Sequence, residues 1–109
     1  MRALLLLLPL AACVPGGPTM RGADCAGEFT FANQSRQVVE QLYAGSPRDL
    51  LEPGVLAPGQ QRAFRAVNPG AARLRVVFDD GRAIELGPVN LCELPRVSMT
   101  PGGLRAAAM

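Results

Sequence analysis

Apolar residues in this chain come in short segments separated by turn dipeptides at Ser46-Pro47, Pro53-Gly54, Pro58-Gly59, Pro69-Gly70 and Asp80-Gly81. That spacing predicts an all-β sandwich or barrel. The clearest unit runs from Ala71 to Leu86. Leu74, Val76 and Phe78 alternate with Arg73, Arg75 and Val77, and across the turn Ile84 and Leu86 alternate with Ala83 and Glu85, the two-residue period of strands with one buried face. Register follows from keeping the apolar set together. A two-residue Asp80-Gly81 turn would set Ile84 against Val77 and Leu86 against Arg75. A three-residue loop, Asp79-Asp80-Gly81 with Gly81 left-handed, instead pairs Val76 with Ile84 and Leu74 with Leu86. It also places Arg75 opposite Glu85 on the outer face, a cross-strand ion pair.

Further strands are predicted at Glu28 to Asn33 with Phe29 and Phe31 inward, at Gln61 to Ala66 around Phe64, and at Arg96 to Met99 with Val97 and Met99 inward. Gln37 to Ala44 reads two ways. Val38, Val39, Leu42 and Tyr43 have helical spacing, with Ser35 placed to cap and Gly45 to terminate, so pattern alone favours a short helix. Residues 14–23, with two prolines and three glycines, read as a flexible tether. The weakly patterned stretch 101–109 reads as a disordered tail. The predicted folded domain is therefore 25–100.

Met1-Arg2 followed by ten apolar residues, Ala3 to Ala12, has the form of a secretory signal and falls short of the about 20 residues that span a bilayer. The following Leu10-Ala11-Ala12-Cys13 resembles the lipobox of bacterial lipoproteins. The resemblance implies a diacylglycerol thioether on Cys13, cleavage before it so that 1–12 is removed, and a further acyl chain on the new amino terminus. Several chains matter because each buried methylene contributes about 0.8 kcal/mol and a single chain anchors only reversibly. Val14 rather than aspartate follows the cysteine, which by resemblance to enterobacterial sorting points to the outer membrane, facing the periplasm. The plainer alternative is an ordinary secretory signal with Cys13 incidental.

With Cys13 lipidated, Cys25 and Cys92 remain as a pair in an oxidising compartment, where a disulfide is expected. Neither belongs to a Cys-x-x-Cys, and the chain has no histidine, which argues against a redox or metal pair.

The segments Phe31-Ala32-Asn33, Leu42-Tyr43, Leu56-Ala57-Pro58-Gly59, Leu74 through Arg82, and Val89-Asn90-Leu91-Cys92 together resemble a group of small exported proteobacterial proteins of unassigned function. This resemblance implies a strand at Leu42-Tyr43 and a compact antiparallel β-sandwich, stapled here by the one disulfide. It brings no catalytic residue with it.

At 109 residues the chain has room for one domain. Its eleven basic residues are all arginine, spread among nine acidic ones for a net charge of +2, which argues against a nucleic-acid partner. Without histidine or lysine the familiar nucleophile pairs, His-ligated zinc, Schiff bases and phosphate-loop lysines are excluded. General bases are reduced to carboxylates, Tyr43 and water, which argues against an enzyme.

Asp79-Asp80-Gly81 offers carboxylates for calcium but lacks the alternating acidic pattern of a calcium loop, so a hairpin turn is expected. Asp49 and Glu52 flank Leu50-Leu51 as a carboxylate pair or, more simply, as solvated charges. Arg62 and Arg65 on one strand, with Arg73 and Arg75 on the next, are candidates for a face toward anionic lipid or glycan. Asn33-Gln34-Ser35 is a chance sequon, and Tyr43 a half-buried amphipathic ring.

The resulting expectation is a non-catalytic envelope lipoprotein, membrane-bound through its lipid, that binds or scaffolds an envelope protein or other envelope component and uses no cofactor or metal. Its rivals are a carboxylate-based hydrolase of envelope polymers using Asp49, Glu52, Asp79 or Asp80, and a small inhibitor of a periplasmic enzyme.

Overall fold

The computed structural model describes residues 25–109, which fold into two β-sheets packed face to face. The predicted signal at 1–12 and the segment 13–24, with the predicted lipidation of Cys13 and the predicted tether, lie outside the described residues. One sheet has four strands in the order β3 (Gln61–Arg65), β1 (Glu28–Asn33), β6 (Arg96–Thr100), β7 (Gly103–Ala107). The other has three, β2 (Val39–Ala44), β4 (Ala72–Phe78) and β5 (Ala83–Val89).

Alternation explains the core. Phe29 and Phe31 of β1, Val97 and Met99 of β6 and Leu104 of β7 point at Leu42, Ala44, Leu74, Val76 and Phe78 from the facing sheet, and all are buried. Leu51, Leu56 and Leu91 fill in from loops. The β4–β5 hairpin has the register its hydrophobic pattern demands, Leu74 opposite Leu86, Arg75 opposite Glu85 and Val76 opposite Ile84. Phe78 N donates to Arg82 O at 2.8 Å and Gly81 N to Phe78 O at 2.9 Å, closing a three-residue loop in which Gly81 has φ 86°.

The Cys25–Cys92 disulfide joins positions 67 apart in sequence, with Cα atoms 5.8 Å apart. It also bears on the one feature that departs from a purely antiparallel sandwich. β1 begins three residues after Cys25 and β6 four residues after Cys92, so the two strands leave the bridge side by side and pair in parallel, Phe31 with Val97 and Asn33 with Met99. The other ladders among the described residues are antiparallel.

One open reading is decided and one expectation is corrected. Of Gln37 to Ala44, residues Val39–Ala44 form strand β2, the second of the two readings that the sequence left open. A register shift between Val39 and Gln41 marks a bulge, and the extra residue of a bulge lets Val39 and Leu42, three apart, both face the core. The supposed disordered tail at 101–109 contains β7, antiparallel to β6, with Leu104 opposite Met99. Thr100 Oγ1 accepts from Gly102 N at 3.1 Å and donates to Gly103 O at 2.9 Å, which closes the Pro101-Gly102 turn and sends Leu104 into the core. The folded domain therefore runs past residue 100.

The long segment between β2 and β3 folds back along the free edge of β2. Leu50 N donates to Leu42 O at 2.8 Å, and Leu56 and Val39 exchange two bonds of 2.9 Å. An exposed strand edge is a template for unwanted pairing, and here the chain covers it with its own backbone.

Candidate functional site

The face of the three-stranded sheet that turns away from the core carries the densest group of chemically distinctive side chains. Strand alternation aims Tyr43 of β2, Arg73 and Arg75 of β4 and Glu85 of β5 outward. Register puts Tyr43 beside Arg75 and Arg75 beside Glu85, so three strands contribute one transverse row. Arg73 stands two positions along the same strand, roughly 7 Å away at the usual strand rise.

Glu85 lies between the two arginines. Its Oε1 is 3.8 Å from Arg73 Nη1 and its Oε2 3.9 Å from Arg75 Nη1. Both distances exceed a hydrogen bond, and the three side chains are about half exposed, so each pairing is worth at most about 1 kcal/mol. Among the described residues Glu85 is the polar partner of both guanidinium groups.

The Tyr43 ring is half-buried, and its hydroxyl donates to Gln41 Oε1 at 2.8 Å. Together these groups line a shallow depression of about 480 Å³ whose rim is Gly45, Ser46 and Pro47. Backbone holds that rim in place: Gly45 N donates to Arg73 O at 3.0 Å.

The other two candidate arginines are elsewhere, so the expected four-arginine face is not built. Arg62 and Arg65 lie on β3, at the edge of the other sheet, and the outer faces of packed sheets point in opposite directions. Being three apart, the pair also falls on opposite faces of β3. Arg62 stands opposite Phe31 with its guanidinium 5.7 Å from the Phe64 ring centre, and Arg65 pairs with Glu28 at 3.1 Å.

The candidate carboxylates have structural work. Asp49 Oδ1 accepts from Leu42 N and Leu51 N, both at 3.0 Å, holding the covering segment on β2. Glu52 is exposed at the turn that follows. Asp79 and Asp80 form the β4–β5 loop. Asp80 accepts from Arg82 N at 2.9 Å and from Gln37 Nε2 at 3.1 Å, and the backbone bond first and the Gln37 bond second hold its carboxyl below the ordinary aspartate value. The Arg82 guanidinium bonds Gln37 Oε1 and lies 4.8 Å from the Phe78 ring centre. Among the described residues no group of three or more His, Cys, Asp or Glu is gathered to hold a metal.

Sequence reasoning missed two features. Asn33, read as part of a chance sequon, is fully buried; the following Ser35, which closes a local turn on its oxygen, was the available signal. A second depression of about 340 Å³ opens at the hairpin end over Phe78, Ile84 and Met99, with Arg36 and Arg82 on its rim, and its parts come from segments too far apart in sequence to be linked by pattern.

Comparison of the chain with protein-family models, curated proteins and solved structures returns no match. Two guanidinium forks flank a carboxylate beside an anchored aromatic ring, on strands rather than on loops. Such a set offers strong donors, one acceptor and a patch of apolar surface to a bound molecule.

Proposed function

We propose that this chain is a non-catalytic lipoprotein of the bacterial cell envelope, held to the outer membrane by acyl chains on Cys13, whose stapled β-sandwich binds another envelope component. The observation that carries this reading is the Cys25–Cys92 bridge. The chain has three cysteines, and pairing these two leaves the one that follows Leu10-Ala11-Ala12. A disulfide suits an oxidising compartment, the space into which a secretory signal delivers a chain.

Support for binding rather than catalysis comes from chemistry. The chain has neither histidine nor lysine, and Asp49 and Asp80, two of the carboxylates a hydrolase would need, accept backbone N–H bonds that shape loops. The outer face of the three-stranded sheet, with Arg73, Arg75, Tyr43 and Glu85, supplies the binding surface.

Metabolic labelling tests the anchor. Labelled palmitate enters the wild-type chain expressed in a bacterial host, and Cys13→Ser abolishes the label and moves the protein from the membrane to the soluble periplasmic fraction. Equal labelling of wild type and variant overturns the reading.

A further inference from the structure

We infer that the face formed by Tyr43, Arg73, Arg75 and Glu85 binds an acidic saccharide, its sugar ring against Tyr43 and its carboxylate or phosphate gripped by the two guanidinium groups; this rests on reading the domain as a binding module.

The guanidinium fork matches carboxylate and phosphate oxygens in pairs, which a point charge does not. Arg73 and Arg75 project from one strand on one side, so both forks reach the same anion. Glu85 holds each of them at 3.8 and 3.9 Å, near enough to keep the arms raised from the sheet and too far for a hydrogen bond. An oxyanion arriving at a normal bonded distance displaces that weak pairing at little cost.

The same glutamate sets the class of ligand. Two arginines and one glutamate leave a single positive charge, too little for the summed attraction on which a polyanion or an anionic bilayer depends. A carboxylate in the middle of the site repels such surfaces. It does, however, accept hydrogen bonds, and neighbouring hydroxyls on a sugar are the donors it fits. A ligand carrying both an anionic group and hydroxyls satisfies all three charged side chains at once.

Tyr43 completes the set. Its hydroxyl is tethered to Gln41 and its ring is half-buried, so an amphipathic surface is presented with little motion left to lose on binding. The depression of about 480 Å³ lies within the range of roughly 300 to 1,000 Å³ found for small-ligand sites. Its shallow form admits a residue in the middle of a glycan as well as one at the end.

Calorimetric titration of the full, disulfide-bonded chain in detergent tests this. The probes are a trigalacturonate, a trisaccharide ending in a sugar phosphate, a neutral galactose trisaccharide, and inorganic phosphate alone. At least one acidic trisaccharide binds, and which one separates carboxylate from phosphate as the anion.

Arg73→Gln and Arg75→Gln each weaken it about ten-fold or more, the loss of one charge-assisted contact. Glu85→Gln weakens the acidic trisaccharide while strengthening inorganic phosphate. Arg62→Gln, on the other sheet, leaves the titration unchanged.

The inference is overturned if no probe saturates, if neutral and acidic trisaccharides bind alike, if phosphate alone binds as tightly as the phosphosugar, or if Arg62→Gln weakens binding as much as Arg75→Gln does. Palmitate labelling of Cys13 is read separately. A chain that is lipidated yet fails the titration removes this site alone, and one that binds the sugar without lipid removes only the anchor.

Discussion

The buried side-chain amide of Asn33 donates to the carbonyl oxygen of Leu56, 23 residues away, at 3.0 Å. The same Nδ2 donates to Gln37 O at 2.8 Å, while Oδ1 accepts from Ser35 N at 3.0 Å and from Ser35 Oγ at 2.6 Å. One side chain thus fastens the end of β1 to the turn after it and to the segment that covers the edge of β2. Asn33→Ala removes four hydrogen bonds at once; Leu56 O keeps Val39 N and Gln37 O keeps Ser35 Oγ, whereas Ser35 N loses its acceptor, and an unpaired N–H costs about 1 to 3 kcal/mol. The expected loss is roughly 1 to 3 kcal/mol by urea titration with the disulfide intact. A loss well under about 1 kcal/mol would show that water replaces the amide and that the network is not a structural hub.

Gly81 and Gly45 both have positive φ, 86° and 80°, yet substitution is expected to differ sharply between them. A Cβ on Gly81 meets nothing within 4 Å, so Gly81→Ala costs only the left-handed strain of about 1 to 2 kcal/mol. A Cβ on Gly45 would lie 2.2 Å from Val67 O, a backbone atom that cannot swing aside. Gly45→Ala is expected to exceed about 4 kcal/mol or to prevent folding. Equal thermal denaturation midpoints for the two variants would contradict this geometry.

How much of this was legible in sequence depends on how strongly each segment holds its period. The register of the β4–β5 hairpin from Leu74 to Leu86 could be read, because Leu74, Val76, Ile84 and Leu86 tolerate only one pairing that keeps them together, whereas the extension of β5 to Val89 could not. β2 could not, because its bulge turns a two-residue period into a three-residue step that imitates a helix. The candidate site divides along the same line. Arg73, Arg75 and Glu85 belong to the legible hairpin, whereas the separation of Arg62 and Arg65 from them depends on which sheet each strand joins, and local alternation carries no information about that.

β7 escaped notice because Gly103-Leu104-Arg105-Ala106-Ala107 offers one large apolar residue and small neighbours. Structure gives it weight, since Leu104 is buried opposite Met99. Leu104→Ala should cost about 2 kcal/mol or more. Deleting 103–109 bares the edge of β6, and the truncated chain should associate in concentrated solution. Light scattering from a size-exclusion column reads this directly; a monomeric truncated chain with wild-type stability would mean that β7 adds nothing to the fold.

The bridge between Cys25 and Cys92 closes a loop with a sequence separation of 67, for which restriction of the unfolded chain predicts about 4 kcal/mol of stabilisation. Small domains have only about 5 to 15 kcal/mol in total. The double variant Cys25→Ser, Cys92→Ser should therefore lose a large share of its stability, and should do so even at neutral pH without reductant. Retention of the wild-type urea midpoint would place the stability in the two sheets alone.

Acid should loosen the hairpin end of the molecule through Asp80. Its carboxylate accepts from Arg82 N and Gln37 Nε2, and these bonds depress its folded pKa. A group whose pKa is lower folded than unfolded stabilises the fold only where it is charged. That contribution is complete above the unfolded aspartate value of about 3.9 and disappears as pH falls through the depressed folded value. Asp80→Asn keeps an oxygen acceptor and removes the charge, so it is the informative substitution. Wild type should be more stable than this variant near neutral pH, and the gap between their urea midpoints should close as pH drops below the aspartate range. A gap that stays constant with pH would assign the role of Asp80 to turn geometry alone, with no share for its charge.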